Sequence, residues 1–172
     1  MRKLLFDTIK TALLAIQDGN GESVIQYVER WNNQVEYAEE EQPFFTPAVF
    51  IEFAPINWRG LPHGVREADV QITLHVVIDS RVGRWSDTNT VFEFLDTIHK
   101  ALFGLHAVDG KRTMDTLNHV QSITDSDYGE LEDNRETYTC HVKDATAYPY
   151  SAMQTTGIVF DIGAELQHPA GI

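Results

Sequence analysis

Apolar and polar positions alternate through ADVQITLHVVID: Ala68, Val70, Ile72, Leu74, Val76 and Ile78 against Asp69, Gln71, Thr73, His75, Val77 and Asp79. Successive side chains of a strand point to opposite faces, so this stretch predicts a long antiparallel-type strand with one buried and one largely polar face. Just before it, PAVFIEF sets Val49, Ile51 and Phe53 on one face of a second strand and Ala48, Phe50 and Glu52 on the other. Thr137 to Val142 alternates again, with Tyr138, Cys140 and Val142 together, and a strand-like run covers Leu117 to Thr124. A last alternation falls at Ile158, Phe160 and Ile162.

Two segments keep the helical period instead. Leu4, Leu5, Ile9, Leu13, Leu14 and Ile16 predict an amphipathic helix from Arg2 to Gln17, ended by DGNG at Asp18 to Gly21. Val91, Leu95, Ile98 and Leu102 predict another, with Phe92 and Phe103 widening its apolar stripe. Ser86, Asp87 and Thr88 offer N-caps, Thr90 and Glu93 fit a capping box, and Gly104 stands where the helix would stop. The stretch SVIQYVERWNNQVEYAEEE follows neither period cleanly. Its β-branched and aromatic residues favour extended structure, with a helix as the alternative and a turn at Asn32-Asn33. The order helix, strands, helix, strands predicts an α+β domain: a mostly antiparallel β-sheet with two main helices packed on one face. This domain is expected over residues 1–146, followed by an extension, 147–172, that adds an edge strand or forms an arm.

Composition narrows the partners more than the fold. The 172 residues carry a formal charge of −13, which argues against affinity built on neutralising phosphates with Lys and Arg. Cys140 is the single cysteine, so no intrachain disulfide forms, which suits a reducing compartment. Asp7 and Lys10 interrupt the first apolar segment, unlike a signal peptide, and no apolar stretch approaches the roughly 20 residues of a membrane span. A soluble protein that stays in the cytoplasm, with no membrane partner, is the expectation. The acidic residues gather in two clusters, Glu36 with Glu39, Glu40 and Glu41, and Asp125, Asp127, Glu130, Glu132, Asp133 and Glu136. Such clusters read as solvated loops. In a ring, Glu39, Glu40, Glu41, Asp125, Asp127 and Glu130 would instead line a channel that DNA passes without specific binding.

No motif specifies a chemistry. The seven histidines lack the spacings of a zinc site, and no cofactor signature is present. Cys140 and His141 are neighbours on a strand, pointing to opposite faces, so they do not form a thiolate–imidazolium pair. There is no G-x-S-x-G elbow and no phosphate-binding glycine pattern. No enzyme activity is expected. The rival reading, a small-molecule-binding domain or an enzyme, has His75, Asp79 and His99 as its candidate cluster. Trp58 and Arg59, in the loop APINWRGLPHGV, and Arg81, Arg84 and Trp85, in RVGRW, put the Arg–aromatic pairing of interface hot spots at both ends of the long strand. They are the candidate subunit interface.

The order and character of these stretches, MRKLLFDTIKTALLAI, PAVFIEF, ADVQITLHVVID, SRVGRW, TNTVFEFLDTIHKALFGL and RETYTCHVK, resemble the phage tail-terminator (tail-completion) proteins over about Met1 to Ala145. The segment from Ser23 to Thr46 is longer and more acidic than that pattern, and the stretch from Ala147 extends beyond its last strand. The resemblance implies a virion structural protein of a phage or prophage, assembled in the bacterial host cytoplasm. It would form a homo-oligomeric ring, commonly a hexamer, that caps the head-proximal end of the tail tube. Its partners would be the tail-tube protein and the head–tail connector. A neck connector or a tail-tube subunit is the alternative within the same class.

Overall fold

The computed structural model describes residues 1–33, 35, 44–128 and 131–147, with the side chains of 126–128 outside that description. Helix α1 spans Arg2–Leu14 and buries Leu5, Ile9 and Leu13, which recur one turn apart. It ends three residues before the predicted boundary. Gln17 has already left the helix to bridge Ser23, and Asp18 Oδ1 accepts the backbone N–H groups of Asn20 at 2.8 Å and Glu22 at 3.0 Å. Gly21 closes this turn at φ +84, where a side chain would be strained.

Strand β1, Tyr27–Arg30, settles the ambiguous segment as extended, and the chain bends at Asn32 and Asn33 as the sequence suggests. It pairs in parallel with β2, Ala48–Phe53. A two-residue strand β3, Arg59–Gly60, and the long strand β4, Arg66–Asp79, follow. After a 3-10 turn over Gly83–Ser86 comes helix α2, Thr88–Leu102. The remaining strands are β5 (Ala107–Asp109), β6 (Arg112–Met114), β7 (Asn118–Tyr128) and β8 (Leu131–Asp144). The eight strands of the described residues join one sheet in the order β1-β2-β4-β8-β6-β5, with β3 added beside β4 and β7 beside β8. Apart from the parallel β1–β2 pair, every pairing is antiparallel. The architecture is α+β.

Both helices cover the same face of this sheet. Leu5, Ile9 and Leu13 of α1 and Val91, Phe94, Ile98 and Leu102 of α2 meet Val49, Ile51, Val70, Ile72, Leu74, Val76, Tyr138, Cys140 and Val142 in one core. The face of β4 read from the alternation is therefore the core face. In α2 Val91, Ile98 and Leu102 are buried as expected, but Phe94 takes the place of Leu95, which is only partly buried, and Phe92 and Phe103 are 56% and 79% exposed. Val91, Phe94, Ile98 and Leu102 already keep the three- and four-residue spacing, which turns Phe92 away. Asp87 caps the helix, accepting from Thr90 N–H at 3.1 Å and Thr90 Oγ1 at 2.8 Å. Thr90 thus answers the cap rather than starting a capping box.

The opposite face departs from the expected polar surface. Asp69 and Gln71 are exposed, but His75 and Val77 are buried. Val77 joins Ala48, Phe50 and Val35 in a second core, against which Trp31, Phe44 and Leu131 pack. β2 consequently lies between two cores, and Ala48, Val49, Phe50 and Ile51 are all fully buried.

Candidate functional site: two ends of β4, a buried histidine network and the α2–β7 groove

The predicted interface residues fall in two places. Glu67 and Asp79, near the two ends of β4, are roughly 40 Å apart along the strand. At the first end Arg59 forms an ion pair with Glu67, and the Arg66 guanidinium lies 4.4 Å above the half-buried Trp58 ring. At the second, Arg81 grips Asp79 through both guanidinium and backbone, which holds that carboxyl below its usual range. Arg84 stacks at 4.5 Å on Trp85. Trp85 is 8% exposed and sits 5.0 Å from Phe94, so it is a core residue and not an open contact. The structure does not bring the five residues into one patch.

On the face away from the helices, His75 is sandwiched. Its ring stacks on Trp31 with centroids 3.7 Å apart and planes 1° from parallel. Nδ1 lies 2.9 Å from Asp133 Oδ2, and Nε2 lies 3.2 Å from Glu52 Oε2. Arg135 Nε donates to the same Asp133 oxygen at 2.8 Å, and its Nη2 donates to Asp125 at 2.8 Å. Asp125, Glu132, Asp133 and Glu136, expected in a solvated loop, stand on strands β7 and β8. Asp133 and Glu136 are buried: Asp133 Oδ2 meets His75 across the sheet and Arg135 on its own strand, and Glu136 meets His119 and Ser122 on β7. Asp125 is committed to Arg135. Glu39, Glu40, Glu41 and Glu130 lie outside the described residues, as does the side chain of Asp127. The rival cluster does not assemble either: His75 belongs to this face, Asp79 to Arg81, and His99 to α2 on the other side.

A third feature was not legible beforehand. Between α2 and β7 runs a groove whose two adjoining halves each hold about 320 Å³. Phe92, Leu95, Asp96 and His99 form one wall, His119, Ser122 and Thr124 the other, and Glu132, Asn134 and Glu136 the floor. Those floor residues continue the inward face of β8 beyond Tyr138, Cys140 and Val142, where apolar side chains give way to polar ones. His119 Nε2 and Ser122 Oγ lie 2.6 Å and 2.5 Å from the same Glu136 oxygen. Ser122 Oγ also lies 3.2 Å from that same His119 nitrogen. A nucleophilic relay needs hydroxyl and carboxylate on opposite ring nitrogens. Here both meet Nε2, so the cluster is a hydrogen-bonded knot that ties β7 to β8.

No family model matches the chain, and no curated protein matches it. Among solved structures, a chain described as "Virion of native gene transfer agent (GTA) particle" aligns at 12% identity and a TM-score of 0.49. The alignment covers 83% of this chain and 96% of that one.

Burial, with Asp115 and Asp69 adding to it, pushes the Cys140 thiol up to about 12, far from a reactive thiolate. Among the described residues no three His, Cys, Asp or Glu side chains converge as a metal would require, and no helix is long and apolar enough to cross a membrane. Asp144 is the carboxylate with the clearest depression. Burial alone would raise it, but hydrogen bonds from Thr146 and the Arg66 guanidinium outweigh that and bring it to about 2. A carboxyl depressed in the folded state stabilises the fold above its unfolded value near 3.9 and loses that contribution as pH falls through its folded value. Asp144→Asn is therefore expected to lower stability at pH 7 by about 1–3 kcal/mol, with the gap to the parent closing between pH 4 and 2. Urea midpoints across that window check it; a gap independent of pH would count against the assignment.

One strand has neither face covered. Every residue of β7 from Asn118 to Thr124 is exposed, and among the described residues β7 pairs with β8 alone.

Proposed function

We propose that this chain is a structural protein of a phage-like virion, a ring-forming subunit that caps the head-proximal end of a tail tube and joins it to the head connector. The observation that carries the assembly reading is the edge of β7 that no described residue pairs. A long unpaired strand leaves a row of backbone N–H and C=O groups without partners, and proteins that remain monomeric guard such edges with Lys, Pro or a covering element. Asn118 to Thr124, NHVQSIT, holds no Lys, Pro or carboxylate.

The terminator role rests on element order. Helix α1, the paired strands β2 and β4, the basic turn, helix α2 and strand β8 follow one another as in the tail-terminator pattern. Heterologous contacts close into a ring when the rotation between subunits returns to its start, and form open filaments when it does not. A connector closes likewise, whereas a tube subunit propagates.

Light scattering over a concentration series, with electron microscopy of the largest species, tests the reading. Closed rings with an open centre are expected. Filaments would move the assignment to a tube subunit. A monomer at every concentration, or a compact two-fold dimer, would overturn ring closure.

A further inference from the structure

We propose that residues 157–162 of one copy, GIVFDI, add as an extra strand to the free edge of β7 in a neighbouring copy, laying Ile158, Phe160 and Ile162 beside the α2–β7 groove. The proposal rests on the assembly reading and names the contact that it leaves open.

Three observations meet at this edge. β7 offers, along a stretch exposed on both faces, backbone that no described residue pairs beyond β8. The groove beside it is walled by Phe92, 56% exposed, and Val120 stands 56% exposed on the strand itself. A strand added here finds apolar contacts at Phe92 and Val120 on its groove side. In residues 148–172, beyond the described fold, Ile158, Phe160 and Ile162 share one parity, with Val159 and Asp161 on the other, between Gly157 and Gly163. Strand addition takes its affinity from main-chain hydrogen bonds and its register from alternate side chains, as this arrangement supplies.

The reach of the chain selects the neighbour. The described fold ends at Ala147, whose carbonyl lies against Gly64 at the far end of β8. β7 begins opposite Thr139. Returning from Ala147 to the level of Tyr138 covers roughly 30 Å along the strand, and two strand spacings add about 10 Å sideways. The link from Ala147 to Gly157 spans at most roughly 33–36 Å fully extended. On that side of β8 the β5–β6 hairpin stands in the path, since β6 pairs with Val142 to Asp144. The chain's own β7 would demand a taut, straight link through an occupied space. A neighbouring copy does not.

The test uses the full chain and needs no disruptive change. One preparation carries Ile123→Cys, on the exposed face of β7, and a second carries Val159→Cys. They are mixed and treated with a thiol crosslinker reaching roughly 8 Å, which spans opposed and diagonal cross-strand positions. A covalent dimer in the mixture, absent from each preparation alone, is the expected result. A dimer from Ile123→Cys alone would mean that β7 pairs with β7 and would overturn the proposal. So would internal crosslinking confined to single chains of the doubly substituted protein, which places the segment on its own β7. Rings that form without any crosslink would sink this contact while leaving the ring reading intact; a monomer without crosslinks would sink both. As an independent readout, Phe160→Asp is expected to lower the share of assembled protein at least tenfold with the monomer's thermal midpoint unchanged, and an unchanged share would overturn the proposal.

Discussion

Asp133→Ala is expected to destabilise the protein by about 3–5 kcal/mol, because removing one partner of a buried charge network strands the others. Asp133 is fully buried, and one of its oxygens receives both Arg135 Nε and faces His75 Nδ1. Without it Arg135 loses the acceptor of its Nε, and Nδ1 of His75 loses its carboxylate beneath the Trp31 ring. Asp133→Asn keeps the volume and one acceptor oxygen but loses the charge, so it should fall between the parent and the alanine variant. Urea unfolding at pH 7 with an unchanged slope is the measurement. A loss below about 1 kcal/mol, the ordinary scale of a single net hydrogen bond, would mean that water replaces the carboxylate freely and that the network is no organising element of this face.

The same network marks where the sequence stops being readable. The core face of β4 was legible because six apolar residues keep one period, and the Tyr138, Cys140 and Val142 face of β8 was legible for the same reason. Both helices announced themselves through their spacing, although the phase of α2 was decided by Phe94 and not by Phe92. His75 was another matter. Its position among Thr73, Gln71 and Asp69 marks it as polar and outward, and the ring that covers it is Trp31, from a segment with no clean period. Its partner Asp133 is 58 positions away. One signal was present: Val77 breaks the polar face, and an apolar residue there asks for a cover. The acid-rich 125–136 stretch misled because carboxylates look alike in a sequence whether water or an arginine satisfies them. Strands β5 and β6, with three residues each, are too short to carry a period at all. Of the candidate interface, the Arg–aromatic pairing was legible, but Trp85 and Trp58 turn toward their own core, while the open edge of β7 shows only once the pairings are known.

Phe50→Ala is the second large effect, again about 3–5 kcal/mol, and it tests whether the sheet truly has two cores. A β2 strand with one solvated face would barely notice the change. Phe50 is instead fully buried, with the rings of Tyr27, Trp31 and Phe44 at 5.8, 6.0 and 5.0 Å. Removing it empties the centre of that aromatic group, and Phe50→Leu should recover most of the loss because it restores volume without the ring. The change should also reach the polar network, since Trp31 touches both Phe50 and His75. Residues that share a partner couple, so the double variant Phe50→Ala, Asp133→Ala should lose about 0.5–3 kcal/mol less than the sum of the two single losses. Strict additivity would mean that Trp31 holds its place over His75 without help from Phe50, and that the aromatic cover and the histidine network are two separate devices on one face.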